Sequence, residues 1–181
     1  MQVSRCFAIL TTMLVWLVFA PATASAQSPL TGGWFVSPAV GIALANADVS
    51  LTVSGAAAYP VTSAVALEGE LGHVFDMAPD DRDVDSSLTT IHGSVLYFFD
   101  SDYVATPYVA AGLGVGRFSH RVVLPRTSIR ATELGFDLGG SVTYPLRNST
   151  WLRGDFRYFK HIDDIPSAWR FSASVVLQVA N

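Results

Sequence analysis

Trp169 to Val179 reads Trp-Arg-Phe-Ser-Ala-Ser-Val-Val-Leu-Gln-Val. Trp169, Phe171, Ala173, Val175, Leu177 and Val179 are apolar, whereas Arg170, Ser172, Ser174 and Gln178 between them are polar, with Val176 the one exception. Strict alternation marks a β-strand with one greasy and one polar face. Aromatic and β-branched residues suit it, and neither Gly nor Pro interrupts it.

Seven earlier stretches repeat the pattern: Gly33 to Leu44, Leu51 to Tyr59, Val65 to Leu71, Leu88 to Phe99, Tyr108 to Gly116, Thr132 to Tyr144 and Trp151 to Phe159. Loops are expected over Ala45 to Ser50, Asp76 to Ser87, Arg117 to Ala131 and His161 to Ser167. Turn-like links are expected near Pro60, Asp100 and Pro145. Longer or more charged links alternating with short turns are the asymmetry of a membrane barrel. No helix-period segment follows residue 26.

Residues 1–26 read as a cleaved export signal: Arg5 is the positive start, Phe7 to Ala20 the apolar run, and Ala24-Ser25-Ala26 the small-residue exit. Residues 27–181 are then one domain. The chain carries 11 basic and 15 acidic residues, a net charge of −4, and the signal contains only Arg5 among them. An acidic exported chain argues against nucleic-acid binding. The one cysteine, Cys6, leaves with the signal, so disulfides, thiolate metal sites and cysteine nucleophiles are excluded. Mean hydropathy is high, yet nothing after Ala26 is long and apolar enough for a membrane helix.

Which way the greasy face points decides the environment. None of its positions is charged, and only Thr89 is overtly polar. The opposite face collects Glu68, Glu70, His92, Glu133, Asp137, Arg153, Asp155, Arg157 and Arg170. An eight-stranded barrel encloses little more than one packed layer of side chains. The large apolar set does not fit there, so it faces lipid and the small and polar set faces the lumen. Trp34, Tyr59, Tyr97, Phe99 and Tyr144 then form an aromatic belt at the short-turn end, and Tyr158, Trp169 and Phe171 one at the other.

Strands three and seven lie across the lumen from each other, which predicts ion pairs between Glu68 or Glu70 and Arg153 or Arg157. Hairpin register places Asp137 beside Arg157 and His92 beside Glu70. The luminal network expected is Glu68, Glu70, His92, Asp137, Arg153, Asp155, Arg157 and Arg170, with Gly112, Gly114, Gly116, Gly135 and Gly139 leaving room for it. Glu68, Glu70, Asp155 and His92 could be read as an acid–base site. So narrow an interior admits no substrate, and paired charges filling the lumen are the expectation.

Asp76, Asp80, Asp81, Asp83 and Asp85 lack the Gly and terminal Glu of a calcium loop. Arg117, Arg121, Arg126 and Arg130 could meet lipid phosphates, or be solvated loop charge. Ser119, His120 and His161 have no spacing that points to a triad. No catalytic residue, metal site or cofactor is expected.

Three stretches carry a family resemblance: Gly33-Trp34-Phe35-Val36-Ser37, Thr106-Pro107-Tyr108-Val109-Ala110-Ala111-Gly112-Leu113-Gly114, and Leu152-Arg153-Gly154-Asp155-Phe156-Arg157-Tyr158-Phe159. With them the mature chain resembles the small outer-membrane β-barrel proteins of Gram-negative bacteria, OmpA-like and opacity-type. The resemblance implies an all-β, eight-stranded antiparallel up-and-down transmembrane barrel in the outer membrane. It also implies insertion by the barrel-assembly machinery, contact with outer-membrane lipids and lipopolysaccharide, and a monomer. Its role would be non-enzymatic: structural, envelope integrity or surface interaction carried by outer loops. The alternatives are a lipid A deacylase-like enzyme, with His120 or His161 as base, and a narrow porin-like channel. The family usually ends on an aromatic residue, whereas this chain ends Val179-Ala180-Asn181.

Overall fold

A computed structural model describes residues 32–45, 48–76, 84–122, 127–147, 149–162 and 165–179. The expected signal segment, Asp80, Asp81, Asp83, Arg126 and the last two residues lie outside them. Eight strands make up the fold: β1 Trp34–Ala45, β2 Asp48–Pro60, β3 Val65–Val74, β4 Val84–Phe98, β5 Thr106–Val122, β6 Thr127–Arg147, β7 Thr150–His161 and β8 Ala168–Val179. Each pairs antiparallel with its neighbour in sequence, and β1 pairs with β8, closing a barrel. Closure leaves no free edge in the sheet. Among the described residues no helix is long and apolar enough to cross a membrane.

Alternation sets the faces. Outward, Leu113 is 74% exposed, and Leu71, Ile91, Leu134 and Leu138 also project freely. A continuous apolar exterior of this extent requires lipid around it. Inward lie the buried charges together with two apolar layers. Ala66, Leu96, Phe98, Tyr108 and Ala110 pack at the short-turn mouth. Ala43, Ala45, Val74, Leu88, Ile165 and Ala168 pack at the opposite, outer mouth, with Phe118 and Ala131 against them.

Local chemistry explains the joints. Thr62 Oγ1 accepts from the backbone N–H of Ala64 (3.2 Å) and Val65 (3.0 Å), holding the β2–β3 turn. Pro38 has no N–H to donate, and the β1–β8 pairing skips Ser37 and Pro38.

Three expected loops are shorter than their sequence implies. β2 starts at Asp48, so only residues 46 and 47 separate it from β1, fewer than in the β4–β5 link that was expected to be the shorter. β4 starts at Val84, which places Asp85, Ser86 and Ser87 in a strand. The basic stretch Arg117 to Ala131 is largely a hairpin, paired from Arg117↔Thr132 to Val122↔Thr127. Backbone pairing continues beyond the apolar band because the ladder needs hydrogen-bond partners, not greasy side chains. The outward face therefore carries charge after all, at Arg117, Arg130 and Lys160, and it also carries His73.

Candidate functional site

The strand period places Arg153, Asp155 and Arg157 on the inward face of β7, where all three are buried. Glu68 and Glu70 project inward from β3 on the opposite wall. Arg153 Nη1 pairs with Glu68, and its Nη2 donates to the other Glu68 oxygen at 3.2 Å. The same guanidinium donates from Nε to Asp155 Oδ2 at 2.5 Å. Arg157 Nη2 reaches Glu68 Oε1 at 2.5 Å, and its Nη1 reaches Asp137 Oδ1 at 3.3 Å. Arg170, from β8, grips Glu70 with both Nη atoms, one at 2.7 Å. Charge-assisted, forked contacts of this kind are the strongest hydrogen bonds a protein forms.

His92 stands opposite Glu70 in the β3–β4 register, but its Nδ1 meets Asp137 Oδ2 instead, at 3.2 Å. Register alone did not specify that partner. The network also has participants beyond the expected eight. Tyr108 donates from its hydroxyl to Asp155 at 3.0 Å, Ser141 donates to the same carboxylate, and Ser94 donates to Asp137. Arg153 lies over the Tyr108 ring at 5.2 Å, and Arg170 over the Phe159 ring at 4.7 Å. An inward aromatic among glycines and serines was the signal available for Tyr108 and Phe159.

Glycine makes this density possible. A Cβ on Gly139 would sit 2.7 Å from Arg157 Cγ, and one on Gly114 would sit 2.6 Å from His92 Cγ. Small residues on one strand are thus the space into which large ones from the neighbouring strand fit. A small opening of about 30 Å³ remains near Phe35, Tyr108, Thr143 and Arg153, enough to admit water.

The belt residues lie outward in two sets. Trp34 and Tyr59 rings are 5.2 Å apart, as are Tyr97 and Phe99, with Tyr144 half-buried on the same tier. Trp169 stacks on Phe156 at 4.9 Å and lies 4.6 Å from Tyr158, while Phe171 meets Phe156.

Of the candidate catalytic set, Ser119 and His161 do not converge. His161 is buried inside the barrel, whereas Ser119 occupies an outward position of β5. The side chains of His120, Arg121 and Asp85 lie outside the described residues. No group of three or more potential metal ligands occurs among the described residues.

A family model for the outer membrane protein beta-barrel domain matches residues 11–178. No curated protein matches the sequence. Among solved structures, Neisserial surface protein A is 19% identical, with a TM-score of 0.67, covering 82% of this chain and 98% of its own. The N-terminal barrel of Pseudomonas aeruginosa OprF is 18% identical, with a TM-score of 0.59 over 80% and 97%. The outer membrane enzyme PagL is 13% identical, with a TM-score of 0.50 over 80% and 99%. At these identities the likeness is one of fold.

Proposed function

The chain belongs to the outer membrane β-barrel family and to the bacterial outer membrane, and from that premise we propose that it is a non-enzymatic, non-conducting barrel whose role is exercised at its outer surface. One observation carries this reading: the luminal guanidiniums and carboxylates are turned toward each other between two apolar layers. Charges so engaged stabilise a wall; they do not present a base or nucleophile to a substrate. A deacylase mechanism with Ser119 and His161 would need the two on one face, and they lie on opposite faces. The barrel inserts through the assembly machinery and acts as a monomer, with its partner contacts on the hairpins at the outer mouth.

The test is twofold, on purified protein refolded in lipid. Planar-bilayer recording is expected to show no current steps, and incubation with lipid A to release no fatty acid. Regular conductance steps would overturn the closed-lumen reading. Released acyl chains would overturn the non-enzymatic one.

A further inference from the structure

Across β3 to β6 the outward face changes character within one register step. Leu71, Ile91, Val115 and Leu134 stand side by side on four adjacent strands, and all four are exposed. The next row toward the outer mouth is His73, Thr89, Arg117 and Thr132. The row after it is Ser87, Ser119 and Arg130. Neither polar row contains an acid. Beyond these rows the ladder pairs Asp85 with Arg121.

Arg117 and Arg130 are exposed, and neither forms an ion pair among the described residues. Thr132 faces Arg117, and Arg130 lies two residues farther along the same strand. The two arginines are therefore diagonal neighbours, about 7–8 Å apart, close enough for two guanidiniums to share one phosphate. Continuous β5–β6 pairing to Val122↔Thr127 holds them on ordered backbone. The far side of the barrel differs: Trp169, Leu44 and Val49 occupy neighbouring outward positions near the outer ends of β8, β1 and β2, and none is charged.

We infer that this ledge seats the phosphorylated headgroup of an outer-leaflet glycolipid, with Arg117 and Arg130 gripping a phosphate. Thr132, Ser119 and Thr89 offer hydroxyls to the sugar. The occupant is a lipid because the row beneath is hydrocarbon-facing: a ligand resting on the arginines has its acyl chains against Val115 and Leu134. This deepens the outer-surface reading and is independent of whether the lumen conducts.

The experiment reconstitutes wild type and an Arg117→Gln/Arg130→Gln double variant in phosphatidylcholine vesicles. The vesicles contain a minor fraction of either bisphosphorylated lipid A or the same lipid dephosphorylated. After mild detergent extraction, the glycolipid retained per barrel is counted by mass spectrometry. Wild type is expected to hold the phosphorylated form, and the double variant roughly thirtyfold less, about fivefold per arginine. Excess inorganic phosphate is expected not to displace it.

Equal retention of both lipid forms by wild type overturns the proposal without reference to any variant, so a variant that failed to fold would not protect it. Equal retention by a double variant of folded gel mobility overturns it as well. Displacement by inorganic phosphate would assign the ledge to a free anion and overturn the glycolipid. Bilayer current and acyl release, which judge the proposed function, are read separately.

Discussion

Arg157 Nη2 lies 2.5 Å from Glu68 Oε1, joining β7 to β3 across the lumen, and neither side chain is exposed to solvent. The contact ties together walls that share no backbone hydrogen bonds. Glu68 also engages Arg153, and Arg157 also engages Asp137, so one substitution unbalances several partners.

Removing one partner of a buried pair leaves the other charge without compensation. Arg157→Met is expected to lower the unfolding free energy by about 3–5 kcal/mol. The double variant Glu68→Gln/Arg157→Met removes one charge of each sign and is expected to cost less than its two single variants together. Urea unfolding of the barrel in lipid, followed by tryptophan fluorescence, measures all three. Strictly additive losses would show that the pair is not coupled.

Two glycines separate the crowded interior from the open exterior. Gly139→Ala would press a methyl into the backbone carbonyl oxygen of Phe156 and against Cγ and Cα of Arg157, 2.7 and 2.8 Å away, pushing the β7 backbone aside and Arg157 with it. A cost of about 1–3 kcal/mol is expected. Gly93 faces outward with nothing within 4 Å of a new Cβ, so Gly93→Ala is expected to stay within about 0.5 kcal/mol of wild type. The midpoint of heat-modifiable gel migration ranks the two, and a reversed order would place the faces the wrong way round.

The fold was legible because alternation reports which face meets hydrocarbon, and eight such stretches close naturally into a barrel. The same signal ended β5 at Gly116 and began β6 at Thr132, because Arg117 and Thr132 interrupt the apolar face there. Hydrophobicity tracks the lipid band; the ladder obeys only backbone hydrogen bonding and continues to Val122↔Thr127. Inside, parity identified which charges turn inward but not how they combine. Glu70 stands opposite His92 in register, yet its carboxylate goes to Arg170. That partner comes from a strand with which β3 shares no ladder, a relationship no single hairpin encodes.

Tyr108 contributes both a ring and a hydroxyl, and these can be separated. Tyr108→Phe removes the 3.0 Å bond to Asp155, which keeps Arg153 and Ser141, so a loss of about 1 kcal/mol is expected. Tyr108→Ala also empties the layer packed against Phe98, where the rings are 4.6 Å apart, and is expected to cost about 3–5 kcal/mol. Equal losses in urea unfolding would mean that the ring contributes nothing.

The outer mouth is covered by Ile165, 2% exposed, whose backbone N–H donates to Glu133 Oε2 at 3.1 Å. Ile165→Ala is expected to speed amide hydrogen exchange at Ile165 and Ala168 while leaving the strand cores protected. The barrel should remain electrically silent, since the charged layer and the short-turn layer still fill the lumen. Current through this variant would show that Ile165 alone seals the barrel.

The position of the membrane boundary is the assignment most open to direct test, because it is drawn between two adjacent rows. Leu113 lies in the row Gly69–Gly93–Leu113–Phe136, one step inside the Val115 row and two steps inside the Thr132 row. Arginine near the middle of a lipid-facing band costs about 2–4 kcal/mol, falling to about 0–1 at the interface. Leu113→Arg is therefore expected near the upper range, Thr132→Arg near zero, and Val115→Arg between them, measured by urea unfolding in phosphatidylcholine vesicles. All three side chains are added to an outward surface, so packing inside the barrel is untouched. Thr132→Arg also faces Arg117, a like-charge contact that salt screens, so the comparison is made at high ionic strength, where depth is the variable that differs. Were the exterior in water, Leu113, already 74% exposed, would accept arginine freely. Three equal and small costs would place this face in solvent, whereas a steep gradient along one strand pair fixes where the hydrocarbon ends.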